Sequence, residues 1–248
     1  GSPHSIQADK DGCEFLLVFD DGAFSENGTL LLSDFLRHMP PDVVAKNFGQ
    51  PEEAFADLPR EDLYIFWAPP PVPLEQARAE IANPAAPSPR LSYHISENEW
   101  QTCPGGKVVT IDTNQFPATT ISAAIVEVEP GAMRELHWHP NADEWQYYLE
   151  GSARMTVFDS SSLARTFDYK AGDVGYVPKI LGHYVENTGD GPMRFLALFR
   201  SPLYQDVSLN QWLALTPPSL VKAHLNVSDE VVASFSKAKQ LLVGGGKA

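Results

Sequence analysis

The sequence has 248 residues, enough for one or two domains with a sizeable core, and its 43% hydrophobic content is ordinary for a soluble globular protein. Its 18 basic against 32 acidic residues leave a net charge of −14, which argues against nucleic acid or an anionic membrane as partner. No apolar run is long enough to cross a bilayer and no leader pattern opens the chain, while Cys13 and Cys103 make no disulfide framework and read as buried free thiols.

In chain order, "CEFLLVF" (13–19) predicts a buried strand, a short apolar run bounded by "DDG". "SDFLRHM" and "DVVAKNF" predict short helices, the second closed by Gly49 as C-cap. The proline-rich stretches "APPPVP" (68–73) and "NPAAPSP" (83–89) flank "LEQARAEIA", a further short helix, and read as a linker. From about 91 to 215 short strands alternate with Gly, Pro and Asp turns, which predicts an all-β sandwich or barrel. In "SDEVVASFSKAKQLL" the spacing of Val231, Phe235, Ala238 and Leu242 predicts one apolar helical face ending at "GGG".

The chain also repeats itself. "FLLVF" (15–19) matches "FLALF" (195–199), and "SDFLRHMPPDVVAKNF" (33–48) matches "NQWLALTPPSLVKAHL" (210–225). On the same alignment His4 corresponds to His183, so the first fifty residues read as the closing portion of a unit that is complete only at 91–225.

The chemistry concentrates in "RELHWHPNADEW" (134–145). On a strand His137 and His139 leave one face while Trp138 leaves the other, and Glu144 follows past the turn-forming Pro140-Asn141. About forty residues on, "GDVGYVPKILGHYVEN" uses Gly172 and Pro178 to set strand ends and delivers His183 from a distant strand. Three imidazoles and one carboxylate suit divalent Mn or Fe with two positions open; for zinc, four ligands would already close the tetrahedron. Trp138 and Trp145, each adjacent to a ligand, are expected to face away from the metal. Simple alternation puts Met133 and Glu135 on the histidine face, so Arg134 either turns inward through a bulge or forms a surface ion pair.

The paired motifs HxHxxxxE and GxxxxxP…H…N resemble the cupin superfamily. The segments "EPGAMRELHWHPNADEWQYYLEG", "ARTFDYKAGDVGYVP" and "DVSLNQWLAL" are similar to the second cupin of bicupin oxalate decarboxylases. "GCEFLLVFDDGAFSENGTLLLSDFL" is similar to the end of the first cupin. The resemblance implies a jelly-roll (double-stranded β-helix) barrel with a few peripheral helices. It also implies this layout: closing strands, lid and helices of a truncated first cupin at 1–66; a linker at 67–90; a complete second barrel at 91–227; and a C-terminal helix and tail at 228–248.

The implied reaction is Mn-dependent decarboxylation of oxalate to formate and CO₂, with dioxygen as co-catalyst and Fe as the alternative metal. The implied roles are metal ligation by His137, His139, Glu144 and His183, substrate neutralisation by Arg134, and proton shuttling by Glu26 on the "FSENGT" lid. His4 is the residual ligand of the first site. Two departures stand out: Ala197 replaces a glutamate of the family, and the second lid-equivalent, "SPLYQDVS", keeps only Asp206 as an acid. Ala197 leaves a second reading, a metal-binding cupin whose site is structural or takes another small carboxylate; a third, a storage-type cupin without chemistry, is argued against by the intact ligand set. The resemblance further implies a homo-oligomer, a trimer or hexamer. A secreted or extracellular setting is expected over a cytoplasmic one, where the sequons at Asn27 and Asn226 would matter.

Overall fold

The computed structural model describes residues 4–80 and 91–245. The stretch 83–89 and the final turn of the helix expected before it lie outside those residues. The chain divides into two compact units, Gly1–Ala85 and Ala86–Ala248.

The first unit is built from short helices: α1 (Leu32–Arg37), α2 (Pro41–Phe48), a 3-10 turn at Glu52–Phe55, and α3 (Leu74–Glu80). Pro41 at the first position of α2 already has the helical φ, and Gly49 ends the helix in the left-handed region at φ 62°. Arg37 ties α1 to the following loop, donating to Asp34 (2.6 Å), Asp62 (3.3 Å) and the carbonyls of Pro59 and Arg60. Burial is sparse. Among its described residues only Val44 and Ala45 are buried.

The strand expected at 13–19 is not formed: the segment is coil, with Phe15, Leu17 and Phe19 exposed. A strand needs a neighbour to accept its N–H groups and a face to bury, and no strand lies among the described residues of this unit. The "closing strands" expected within 1–66 are therefore corrected to coil and helices. Cys13 is exposed and Cys103 half-buried, so neither is the buried thiol expected.

The second unit is all-β. One sheet runs β1 (Gln101–Cys103), β2 (Gly106–Ile111), β3 (Ser122–Val128), β10 (Met193–Phe199), β5 (Glu144–Glu150), β8 (Val174–Val177). The other runs β11 (Val207–Ser208), β4 (Met133–Trp138), β9 (Gly182–Asn187), β6 (Ser152–Asp159), β7 (Leu163–Lys170). Every pairing is antiparallel, so one face of each strand can line an interior. Burial alternates along the whole of β3 and along β5 as far as Tyr148. Tyr148, Phe195, Met155, Met193 and Val185 fill the core, with Tyr148 stacked on Tyr169 at 4.6 Å.

After β11 the chain forms α4 (Leu209–Leu215), α5 (Pro218–Leu225) and α6 (Asp229–Ala233). The expected helix through Leu242 stops at Ala233, and Leu242–Val243 form β12 on β4. The physical reason is the docking site. Leu242, fully buried, and the backbone of Leu241 gain more from the free edge of β4 than from continuing a helix. No helix among the described residues is long and apolar enough to cross a membrane.

Candidate metal centre

Three strands and one turn build the centre. On β4, His137 lies opposite His183 of β9. His139 follows the end of β4, and Glu144 opens β5 beside Val177 of β8 and Phe199 of β10. The intervening loop is pinned: Asn141 donates to Ser201 Oγ (2.9 Å) and the Leu203 carbonyl (2.8 Å), while Asp143 accepts from Tyr176 Oη (2.9 Å) and the Lys179 N–H (2.8 Å). The turn entering β9 is tied to the ligand itself, the Ile180 N–H donating to the His139 carbonyl at 2.8 Å. Gly172 takes φ 92° in the turn before β8, where its N–H donates to the Tyr148 carbonyl. The motif asparagine, Asn187, is a turn staple, donating to the carbonyls of Val128 (2.9 Å) and Gly191 (2.8 Å).

His137, His139, Glu144 and His183 present ligand atoms that all lie within 4.8 Å of one another, and all four are buried. Glu144 Oε2 is 2.8 Å from His183 Nε2 and 3.3 Å from His139 Nε2. These spacings match neighbouring ligands around one cation with bonds of about 2.1 Å, which sit about 3 Å apart.

The tautomers are set by backbone. His137 Nδ1 donates to the Glu135 carbonyl (2.7 Å), His139 Nδ1 to the Gln205 carbonyl (2.7 Å) and His183 Nδ1 to the Leu181 carbonyl (3.0 Å). Each ring therefore turns its Nε2 toward the common point. His139 Nε2 is buried with no hydrogen-bond partner, an orphan that a cation would satisfy. Burial, and then the Arg134 charge, push the His137 pKa well below its usual value, so this ligand has no proton to displace. Burial alone would raise Glu144, but His139 and His183 outweigh it and hold the carboxyl well below the usual range. The residues fit a divalent cation.

Trp138 and Trp145 face away, as expected. Trp138 meets Trp212 of α4 edge-on at 6.0 Å, and Trp145 stacks with Tyr147 at 6.3 Å.

Arg134 turns inward. The β4–β9 register shifts between Arg134 and His137, and at this irregularity Arg134 and Glu135 are both buried. Arg134 donates to the Leu241 carbonyl (3.1 Å), Tyr204 Oη (3.3 Å) and Asp206. Asp206 also pairs with Lys239. Burial would raise Asp206, but Arg134 and Lys239 keep it below the usual carboxylate range. Glu135 accepts from Ser208 Oγ (2.7 Å) and the Leu241 N–H (3.2 Å) and lies 3.8 Å from Arg134. Two acids and two bases thus close a neutral quartet beside the metal centre.

Sequence reading missed Glu135, Lys239 and Leu241 as part of this cluster, and left Asp206 as an unattached acid. One signal was available: alternation in "MRELHWH" places Glu135 on the histidine face, and a buried carboxylate requires partners.

Glu26 and His4 belong to the first unit. Glu26 starts an exposed 3-10 turn, Glu26–Gly28, and its carbonyl accepts from Tyr64 Oη at 3.2 Å. Ala197 is buried in β10, opposite Gln146 and Ala124. A cleft of about 510 Å³ is lined by residues including Tyr204, Gln205, Asp206 and Lys239, on the side of the centre that carries His139.

Residues 94–233 match the cupin family. The chain is 52% identical over 244 residues to the oxalate decarboxylase OxdC of Bacillus subtilis, across 98% of this chain and 63% of that protein. It is 41% identical over 249 residues to a probable oxalate decarboxylase of Arthroderma benhamiae, across 98% of this chain and 61% of that one. A solved structure of the Bacillus subtilis oxalate decarboxylase at pH 4.6 aligns with a TM-score of 0.86 and 49% identity, over 91% of this chain and 59% of the other. Another solved structure, with the same TM-score of 0.86, 49% identity and coverage of 90% and 59%, concerns the Mn(II) centres of that enzyme. The chain thus spans less than two thirds of the length of these relatives.

Proposed function

The chain belongs to the cupin family, and from that premise we propose that it serves Mn-dependent decarboxylation of oxalate to formate and CO₂, with dioxygen as co-catalyst. The observation that carries the metal half is the trio of imidazoles, each locked with Nδ1 on a backbone carbonyl and Nε2 turned toward Glu144. Likeness to the oxalate decarboxylases over 98% of the chain supports the substrate. Fe(II) is the alternative metal. Bound there, the cation would supply a Lewis-acidic, redox-active pole with positions open to a carboxylate.

The chain's own groups supply the rest. Three imidazole nitrogens and one carboxylate would leave a divalent cation one net positive charge, which would draw an anion into the buried site. Arg134 is the cation nearest this centre by sequence, and it meets Asp206 first, so a substrate carboxylate competes with an internal one. Glu26, exposed on a glycine-containing turn of the first unit, is the proposed proton carrier of that unit's own, incomplete site. Ala197 offers the metal centre of the second unit no proton, and losing a positioned acid–base group costs roughly a hundred- to ten-thousand-fold in rate. We therefore propose that the 248-residue chain binds oxalate but turns it over slowly.

The test is Mn content together with formate release from oxalate. Formate production that is unchanged by Glu26→Ala in a form whose first cupin is complete would remove Glu26 from the scheme, and a purified chain that takes up no Mn or Fe would remove the scheme itself.

A second reading is favoured by the alanine at 197 and the occupied Arg134: a cupin whose metal is structural or binds another small carboxylate. Metal retained without any formate release would select it. The same proposal includes a homo-oligomer, trimer or hexamer, supported by the exposed Phe15, Leu17, Phe24 and Phe35 of the first unit. Light scattering that finds a monomer over a wide concentration range would overturn that part. It also includes a secreted or extracellular setting, supported by the exposure of both sequon residues, Asn27 and Asn226. A glycosidase that leaves the mass of the native-source protein unchanged would speak against it.

A further inference from the structure

The three imidazoles are not held in the same way. His137 and His183 donate to carbonyls two residues back on their own chain, Glu135 and Leu181, so local backbone sets both rings. His139 donates to the carbonyl of Gln205, 66 positions away. Its orientation therefore depends on where the segment Tyr204–Asp206 lies.

That segment is held from both sides of Gln205. Tyr204 packs its ring edge-on against His139 (5.9 Å) and Phe199 (5.2 Å) and accepts from Arg134. Asp206 bonds Arg134 of β4 on one side and Lys239 of the tail on the other. Lys239 Nζ donates as well to the Asp206 carbonyl, at 3.0 Å. Only beyond Asp206 does regular pairing begin, with Val207 opposite Trp138 and Ser208 opposite His137.

We propose that Asp206 is a positioning residue for the metal: the Lys239–Asp206–Arg134 chain clamps Tyr204–Asp206 so that the Gln205 carbonyl holds His139 in its ligating orientation. The tail thereby sets metal affinity from outside the ligand set. Partners that orient a ligating histidine typically govern metal affinity by about ten- to a hundredfold. The clamp rests on the metal centre proposed above, yet it can fail separately.

The experiment is Mn(II) titration of the full chain, reading free Mn(II) by EPR and histidine nitrogen couplings by pulsed EPR. Lys239→Met and Asp206→Asn should raise the dissociation constant by about ten- to a hundredfold, with one of three nitrogen couplings altered and two retained. Asp206→Glu should recover part of the affinity. Lys239 is partly exposed, at 30%, so its variant keeps the test alive where Asp206→Asn leaves buried cations unpaired and fails to fold. Dissociation constants within about twofold of wild type in both variants would overturn the clamp. So would loss of all three couplings together, which a general loosening produces. Wild-type chain that binds no Mn(II) would instead overturn the metal centre.

Discussion

In the first unit Phe15 to Phe19 run as exposed coil, Phe15 at 53% and Leu17 at 56% accessibility, whereas the matching run in the second unit, Phe195 to Phe199, forms the last five residues of β10, with Phe195 at 1%. The paired helices that follow behave in the opposite way. Leu32–Arg37 with Pro41–Phe48 in the first unit, and Leu209–Leu215 with Pro218–Leu225 in the second, form in both. Even their ends agree: a proline opens the second helix of each pair, and a left-handed residue closes it, Gly49 at φ 62° and Asn226 at φ 53°. A helix satisfies its backbone within itself, so the repeated sequence is enough. A strand does not, and "FLALF" becomes one because β3 and β5 flank it.

The strongest test of this contrast uses the two histidines that the repeat aligns. His183→Ala should abolish Mn retention measured on purified chain, because it removes a buried ligand from a site with open positions. His4→Ala, at an exposed position of the first unit, should leave metal content unchanged. Loss in both variants would break the assignment of the centre to the second unit alone.

The two phenylalanines sharpen the contrast in stability. Phe195→Ala, in contact with Tyr148, should cost about 3–5 kcal/mol by urea denaturation. Phe15→Ala should stay within about 0.5 kcal/mol in chain dilute enough to be monomeric. Comparable losses would show that 15–19 is packed after all.

Acid should act on the second unit through His137, whose pKa burial, and then Arg134, push well below the usual 6.5. Below 6.5 the unfolded chain takes up a proton that the folded chain refuses, so this contribution is present above 6.5 and is lost as pH falls toward the depressed value. The slope is at most about 1.4 kcal/mol per pH unit for one proton. Urea midpoints of metal-free chain should therefore fall with acidification, and a flat profile in that window would contradict it.

The smallest effect concerns the helix ends. No atom lies within 4 Å of a Cβ built on Gly49, so Gly49→Ala should cost only the left-handed strain, about 1 kcal/mol, read by hydrogen exchange in α2. Asn226→Gly should be neutral or slightly stabilising in α5.

Much of this was legible in advance. The spacing of His137, His139, Glu144 and His183 picked out the buried cluster that the fold assembles, because a two-residue period and a turn suffice to aim those side chains. Gly49 announced the end of α2, and the turns at Gly172 and Pro178 announced β8 and β9. Three features were not legible. The run at 13–19 carried a strand's composition without a strand's partners. The tail carried a helical period yet gave Leu242 to the edge of β4, where it is fully buried. The buried quartet joined Arg134 to Asp206 and Lys239 across separations that no local pattern reports.

By itself, then, the sequence determined whatever rests on neighbours along the chain: helix caps, turns, strand faces and the chemistry of the four ligands. Only the tertiary structure decided which apolar run became a strand and which carbonyl oriented His139. It alone also decided whether Arg134 would stand free or be held by Asp206. Each of these depends on long-range pairing, where burial of a charge or an unpaired N–H is costly enough to select one partner among many.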